Sequence, residues 1–178
     1  MRLFIAIELP EEAKKELARL RMDIPGARWV PSDQIHLTLS FLGEVDEAAL
    51  ERLTVQLARI HMTEFRIRFG GTGCFPDRRR PRVLWAGLEP EPSLIALAAR
   101  VREALLTCGI PQEERPFSPH ITLGRIKLPV PGMCDAFLNR DRKPALPALH
   151  VREFTLFQSR LTPQGAVHIP IRNFLLAL

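Results

Sequence analysis

The chain is poorly equipped for a disulfide framework or a metal centre. Its three cysteines, Cys74, Cys108 and Cys134, are an odd number, far apart and without a CxxC pair. That pattern argues against both a disulfide scaffold and a Cys-rich zinc site. The histidines (His36, His61, His120, His150, His168) form no HxxxH or HExxH spacing, so a helical metal site has no support either. No apolar run reaches the roughly 18 residues that a membrane span requires. The start, MRLFIAIELPEEAKKEL, places one basic residue before a short apolar stretch that breaks into charge. It lacks a secretory h-region and a small-residue cleavage site. The expectation is a soluble protein of the reducing cytoplasm, with no membrane partner, metal or organic cofactor.

What is present points to one ordinary core. The 178 residues are 46% hydrophobic, and no linker or low-complexity tract divides them, so residues 1–178 read as a single domain. The formal net charge is +5, which excludes an acidic disordered tail and fits an anionic partner without proving one. Of the 25 basic residues, 21 are Arg and 4 are Lys. Arg suits bidentate phosphate recognition better than Lys, but codon bias is the simpler account on composition alone.

Hydrophobic periodicity alternates strands with helices. Residues 2–8 read as a strand, and a helix follows from Pro10 with Ala13, Leu17, Leu20 and Ile24 on one face until Pro25-Gly26. Residues 34–42 alternate strictly: Ile35, Leu37, Leu39 and Phe41 point one way, and His36, Thr38 and Ser40 the other. Asp46 caps a second helix with the stripe Leu50, Leu53, Leu57, Ile60. Strands are expected at 64–70 and 82–88, joined by the loop GTGCFPDRRRP. A third helix spans 93–108 with Gly109 as its stop. Residues 119–126 form another alternating strand. A Pro-rich stretch, 129–147, reads as loop with a short helix near 133–140. Strands at 150–159 and 166–171 finish the chain.

The informative feature is a repeat. Residues 36–39 read His-Leu-Thr-Leu and residues 120–123 read His-Ile-Thr-Leu, one copy in each half. On each strand the His and Thr share a face opposite apolar residues. A lone His-x-Thr is most simply a polar pair on a half-exposed strand. A matched pair, related by an approximate two-fold, brings two imidazoles and two hydroxyls to one site. Two histidines flanking a phosphorus centre can serve as general acid and base, and threonine hydroxyls can bind non-bridging oxygens.

With LFIAIELP at the start, RWV at 28–30, HLTLSFLG at 36–43, FP at 75–76, VLWAGL at 83–88 and RPFSPHITLGR at 115–125, the chain resembles the 2H phosphoesterase superfamily. Within it the similarity is to RNA 2′,3′-cyclic phosphodiesterases, formerly called 2′-5′ RNA ligases, and covers nearly the whole chain. The resemblance implies a bilobal α+β fold: two antiparallel sheets backed by helices, with pseudo-two-fold symmetry and a central cleft. It implies a monomeric enzyme that opens RNA-terminal 2′,3′-cyclic phosphates, tRNA fragments among them, to 2′-phosphates, with weak reverse 2′-5′ ligation. By the same resemblance His36 is the proton donor, His120 the proton acceptor, Thr38 and Thr122 phosphate ligands, and Arg125 a phosphate-binding arginine.

Strict alternation points Arg125 away from the cleft, unless Gly124 permits a bulge that turns it back; a surface arginine is the competing reading. Phe41 stands at the equivalent offset in the first motif and reads as core rather than as a base-stacking platform. Trp29 and Trp85 read as packing residues. The family's C-terminal Tyr is missing, since the chain has no tyrosine, and Val167 or His168 stands near its place. Arg78, Arg79, Arg80 and Arg82, beside Phe75, are either an RNA track or a solvated charge run. Two alternatives stay open: a 2H enzyme acting on small cyclic nucleotides, and a non-catalytic RNA-binding module. The second would be marked by loss of a motif His or Thr, and all four are present.

Overall fold

A computed structural model gives the architecture, and the structure described comprises residues 1–139 and 143–178. Four helices and ten strands follow one another along it: β1 (Arg2–Glu8), α1 (Glu11–Ala18), β2 (Ala27–Trp29), β3 (His36–Glu44), α2 (Glu47–Leu57), β4 (Phe65–Ile67), β5 (Phe69–Phe75), β6 (Val83–Leu88), α3 (Pro92–Thr107), β7 (His120–Ile126), α4 (Asp135–Leu138), β8 (Leu149–Val151), β9 (Glu153–Thr162) and β10 (Gly165–Leu175). One four-stranded sheet has the order β10-β9-β1-β3 and a second the order β2-β7-β6-β5; β4 and β8 form a small ribbon. All strand pairs in the two large sheets are antiparallel.

The motif strands β3 and β7 belong to different sheets and lie against each other. The chain itself ties the sheets together: β2 pairs with β7, and a short 3-10 turn (Ser32–Gln34) then leads into β3. One apolar cluster runs through both lobes. It joins Leu37 of β3, Leu84 of β6, Ile121 of β7, and Leu97 and Val101 of α3. A separate small cluster, Phe4, Ala6 and Phe157, lies on the opposite face of the first sheet.

Several elements differ from the sequence reading. The first helix stops at Ala18, although Leu20 and Ile24 are still buried; their burial is achieved by the turn that follows, not by helix. The strand expected at 64–70 is two strands, β4 and β5, and β5 continues through residues expected to be loop. The short strand β2 has no alternation signal because it is three residues long. Within the expected short helix, Asp135–Leu138 is helical, and residue 140 lies outside the described residues. No helix among the described residues is long and apolar enough to cross a membrane.

The alternation of β3 is the most consequential difference. Its pairing with β1 shifts register between Ile5 and Ala6, so that Ala6 faces Thr38 and Ile5 faces Ser40, with Leu39 inserted. Such a β-bulge reverses the phase of the residues that follow it, until a second shift at Leu42, between the Phe4–Phe41 and Leu3–Gly43 pairs, restores it. Leu39 stays buried, Ser40 turns to the same side and donates its hydroxyl to Gln112 Oε1 at 2.5 Å. Phe41 swings to the face of His36 and is 66% exposed. The expectation that Phe41 is core is therefore corrected. Truncating Leu37, which has no exposed surface, should cost about 2–5 kcal/mol. Phe41→Ala should cost less than about 1 kcal/mol, because it vacates no core volume. Chemical denaturation of both variants measures the contrast; equal losses would place Phe41 back in the core.

Candidate active site

His36 and His120 begin their strands, and each is fixed in the same way. His36 Nδ1 lies 2.6 Å from the Gln34 carbonyl oxygen, and His120 Nδ1 lies 2.8 Å from that of Ser118. A carbonyl oxygen only accepts, so Nδ1 carries the hydrogen and donates in both rings. Nε2 is thereby left to exchange protons with a ligand. The backbone two residues before each histidine thus selects its tautomer and aims its ring.

Each imidazole also leans on aromatic neighbours. The His36 ring centroid is 4.9 Å from that of Phe4 and 5.1 Å from that of His168. The His120 ring stands edge-on to Phe75 at 4.8 Å, with Trp85 at 6.4 Å. Burial against these groups disfavours the charged imidazolium. It pulls the pKa of His36 down to about 4, against the raising effect of its backbone hydrogen bond and assisted by the positive charge of Lys14. His120 is also lowered, first by burial and then by the Arg125 guanidinium.

Thr38 shares the His36 face of the first sheet, opposite Ala6 of β1. Thr122 shares the His120 face of the second, opposite Trp85 of β6. Both are partly exposed, and neither hydroxyl has a side-chain hydrogen bond among the described residues. Arg125 joins them through a second bulge. The β6–β7 register shifts between Leu84 and Trp85, so Trp85 faces Thr122, Leu84 faces Gly124 and Val83 faces Arg125. Leu123 and Gly124 both turn to the core side, and Arg125 returns to the face of His120. A Cβ on Gly124 would stand 2.8 Å from the Trp29 ring, so glycine here makes room for the packed indole. The two bulges fall at the same offset from the two histidines, and the residue each one turns over is Phe41 in one half and Arg125 in the other.

His168 was the residue least visible in advance. Its ring packs on Phe4 at 4.8 Å as well as on His36. The Gln34 side-chain amide donates to the Ala166 carbonyl, which draws the β9–β10 hairpin towards the start of β3. No local pattern signals this, because it depends on the order β10-β9-β1-β3. Beside His36 opens a pocket of about 530 Å³, floored by Phe4, Phe157 and Pro170 and walled by Glu8, Asp33 and Glu153 among others. In its wall the nearly buried Lys14 pairs with Glu8. No group of three or more His, Cys, Asp or Glu side chains among the described residues is arranged to hold a metal ion. The three thiols are free.

This arrangement has close counterparts. A family model described as LigT like Phosphoesterase matches residues 7–85 and 87–168. An RNA 2′,3′-cyclic phosphodiesterase of Archaeoglobus fulgidus is 33% identical over 177 residues, covering 98% of this chain and 99% of that one. Another, of Thermus thermophilus, is 40% identical over 188 residues, covering 98% of this chain and 89% of its own. Among solved structures, Escherichia coli LigT complexed with 3′-AMP matches with a TM-score of 0.84 at 31% identity, covering 99% of this chain and 98% of that one. Matched along nearly its whole length in sequence and in fold, the chain belongs to the family of LigT-like phosphoesterases.

Proposed function

We propose that this protein hydrolyses RNA-terminal 2′,3′-cyclic phosphates to 2′-phosphates by two-histidine acid–base catalysis. The observation that carries the reading is the duplicated device: two His-x-Thr strands, each with its Nδ1–H bonded to the carbonyl two residues earlier. The names of the full-length relatives agree with it.

In the step proposed, His120 Nε2 takes a proton from water as the water oxygen bonds to phosphorus. The bond from phosphorus to the 3′ oxygen breaks, and protonated His36 gives its Nε2 proton to that oxygen. The ribose keeps a 2′-phosphate and gains a 3′-hydroxyl. Thr38 and Thr122 hydroxyls donate to the non-bridging oxygens, and Arg125 offsets their growing charge. Phe41 offers an apolar face for the terminal base. With a 5′-hydroxyl in place of water, the same exchange forms a 2′-5′ bond.

His36→Ala or His120→Ala should lower kcat by at least about 100-fold on a cyclic-phosphate oligonucleotide, and activity should persist in excess chelator. Product analysis should find only a 2′-phosphate. Full activity in either variant, strict dependence on a divalent ion, or a 3′-phosphate product would each overturn the scheme.

The pH dependence has a definite sign. Catalysis needs one imidazole protonated and the other free, and both pKa values in the unliganded protein lie below 6.5. Above about 6.5 the base is already free, while the protonated acid becomes about tenfold scarcer per pH unit. The expected kcat/KM profile is therefore a bell centred below 6.5 with a falling alkaline limb. A bound phosphate anion favours the protonated acid, so kcat should fall at higher pH than kcat/KM. A kcat/KM plateau between pH 7 and 8 would contradict this.

A further inference from the structure

The bulge after Thr122 has a second consequence. Arg125 is the cross-strand partner of Arg28 on β2 as well as of Val83 on β6, and Val83 is in turn opposite Phe75 on β5. Arg28, Arg125, Val83 and Phe75 therefore form one row on the sheet face that carries His120 and Thr122. Residues directly opposite on antiparallel strands have close side chains, and like charges placed so repel each other. Neither arginine has a carboxylate partner among the described residues. Two cations side by side at the edge of a phosphate cleft are relieved by an anion that lies across both.

The loop joining β5 to β6 lies at the Phe75–Val83 end of the same row and extends the charge. Asp77 turns its carboxylate inward and accepts from the backbone N–H groups of Arg79 and Arg80 at 2.8 and 3.0 Å. The turn is thereby set, and the arginine side chains are left outside it. Arg78 and Arg82 are engaged only with neutral groups, Asn139 Oδ1 and the Lys127 carbonyl, so they keep their full charge. Across the cleft the sign reverses: the pocket beside His36 has Glu8, Glu11, Asp33 and Glu153 in its lining against Lys14. A polyanion is drawn to the second sheet and repelled from the first sheet's pocket.

We propose that this arginine rim seats the phosphodiester backbone of the single-stranded RNA whose end lies in the cleft, with Arg28 next to the reacting phosphate. The proposal rests on the phosphodiesterase reading and adds the path of the strand that leads to the cyclic phosphate.

Two measurements on Arg28→Ala and on the double variant Arg79→Ala/Arg80→Ala test it. The first is anisotropy binding of a single-stranded oligoribonucleotide with an ordinary 3′-hydroxyl, which needs no chemistry. Each variant should bind about fivefold or more weakly, and the slope of log affinity against log salt should shrink by about 0.7 for each phosphate no longer neutralised. The second compares kcat/KM on a cyclic-phosphate oligonucleotide and on a nucleoside 2′,3′-cyclic phosphate. The Arg79→Ala/Arg80→Ala variant should lose a similar factor on the oligonucleotide and stay within about twofold of wild type on the nucleoside, whereas Arg28→Ala, beside the reacting phosphate, should lose activity on both. Unchanged affinity and salt slope, or equal losses of the double variant on both substrates, would overturn the rim. Arg28-dependent binding by a protein that hydrolyses neither substrate would support the rim and overturn the phosphodiesterase reading instead.

Discussion

A β-strand has a period of two, and that constraint governs this site. Alternation brings a histidine and the threonine two places later to one face at no cost. It also sends the residue five places after the histidine to the core. In the proposed phosphate site hydroxyls and imidazoles alone would lack a permanent positive charge, and a break of phase in the strand is what would supply it. Both motif strands break phase at the same place, Leu39-Ser40 and Leu123-Gly124. Each break is accommodated locally. Ser40 finds Gln112, and Gly124 yields its side-chain volume to Trp29.

How legible this was follows from the same constraint. The four motif positions need only alternation, and the His-x-Thr repeat displayed them directly. Arg125 needs a bulge, and Gly124 flagged one because glycine weakens a strand and marks bulges. The first half carries Ser40 at that place, so no residue advertises the bulge there, and simple counting puts Phe41 in the core. The repeat held the missing signal: a bulge inferred for one copy applies to the other. His168 depends on sheet order, and strand order is set by packing far from any local pattern.

The two halves share a frame but divide the chemistry. His36 sits deeper, enclosed by Phe4 and His168 with Lys14 nearby, so its neutral form is strongly favoured until an anion arrives. Under the proposed scheme an imidazole of that kind gains its proton when the phosphate binds and gives it up readily. His120 is kept neutral first by burial and then by the Arg125 charge, which in the proposed scheme leaves it free to accept a proton. The aromatic Phe41 and the cationic Arg125, at matching offsets, set an apolar surface against a charged one. The RNA end of the proposed substrate has just those two faces, a base and a phosphate.

The glycines of β5 belong to the same economy of space. By composition Gly71-Thr72-Gly73 reads as a loop, yet Gly73 lies within a paired strand. A Cβ on Gly73 would fall 2.1 Å from the Trp85 ring, and one on Gly87 3.1 Å from it. The indole therefore lies flat along bare backbone, and Phe75 and His120 rest against it. This position leaves the Trp85 indole N–H buried with no partner among the described residues, a penalty of about 1–3 kcal/mol. The flat ring is what His120 stands against, with 6.4 Å between centroids, so glycine here serves thinness, not flexibility.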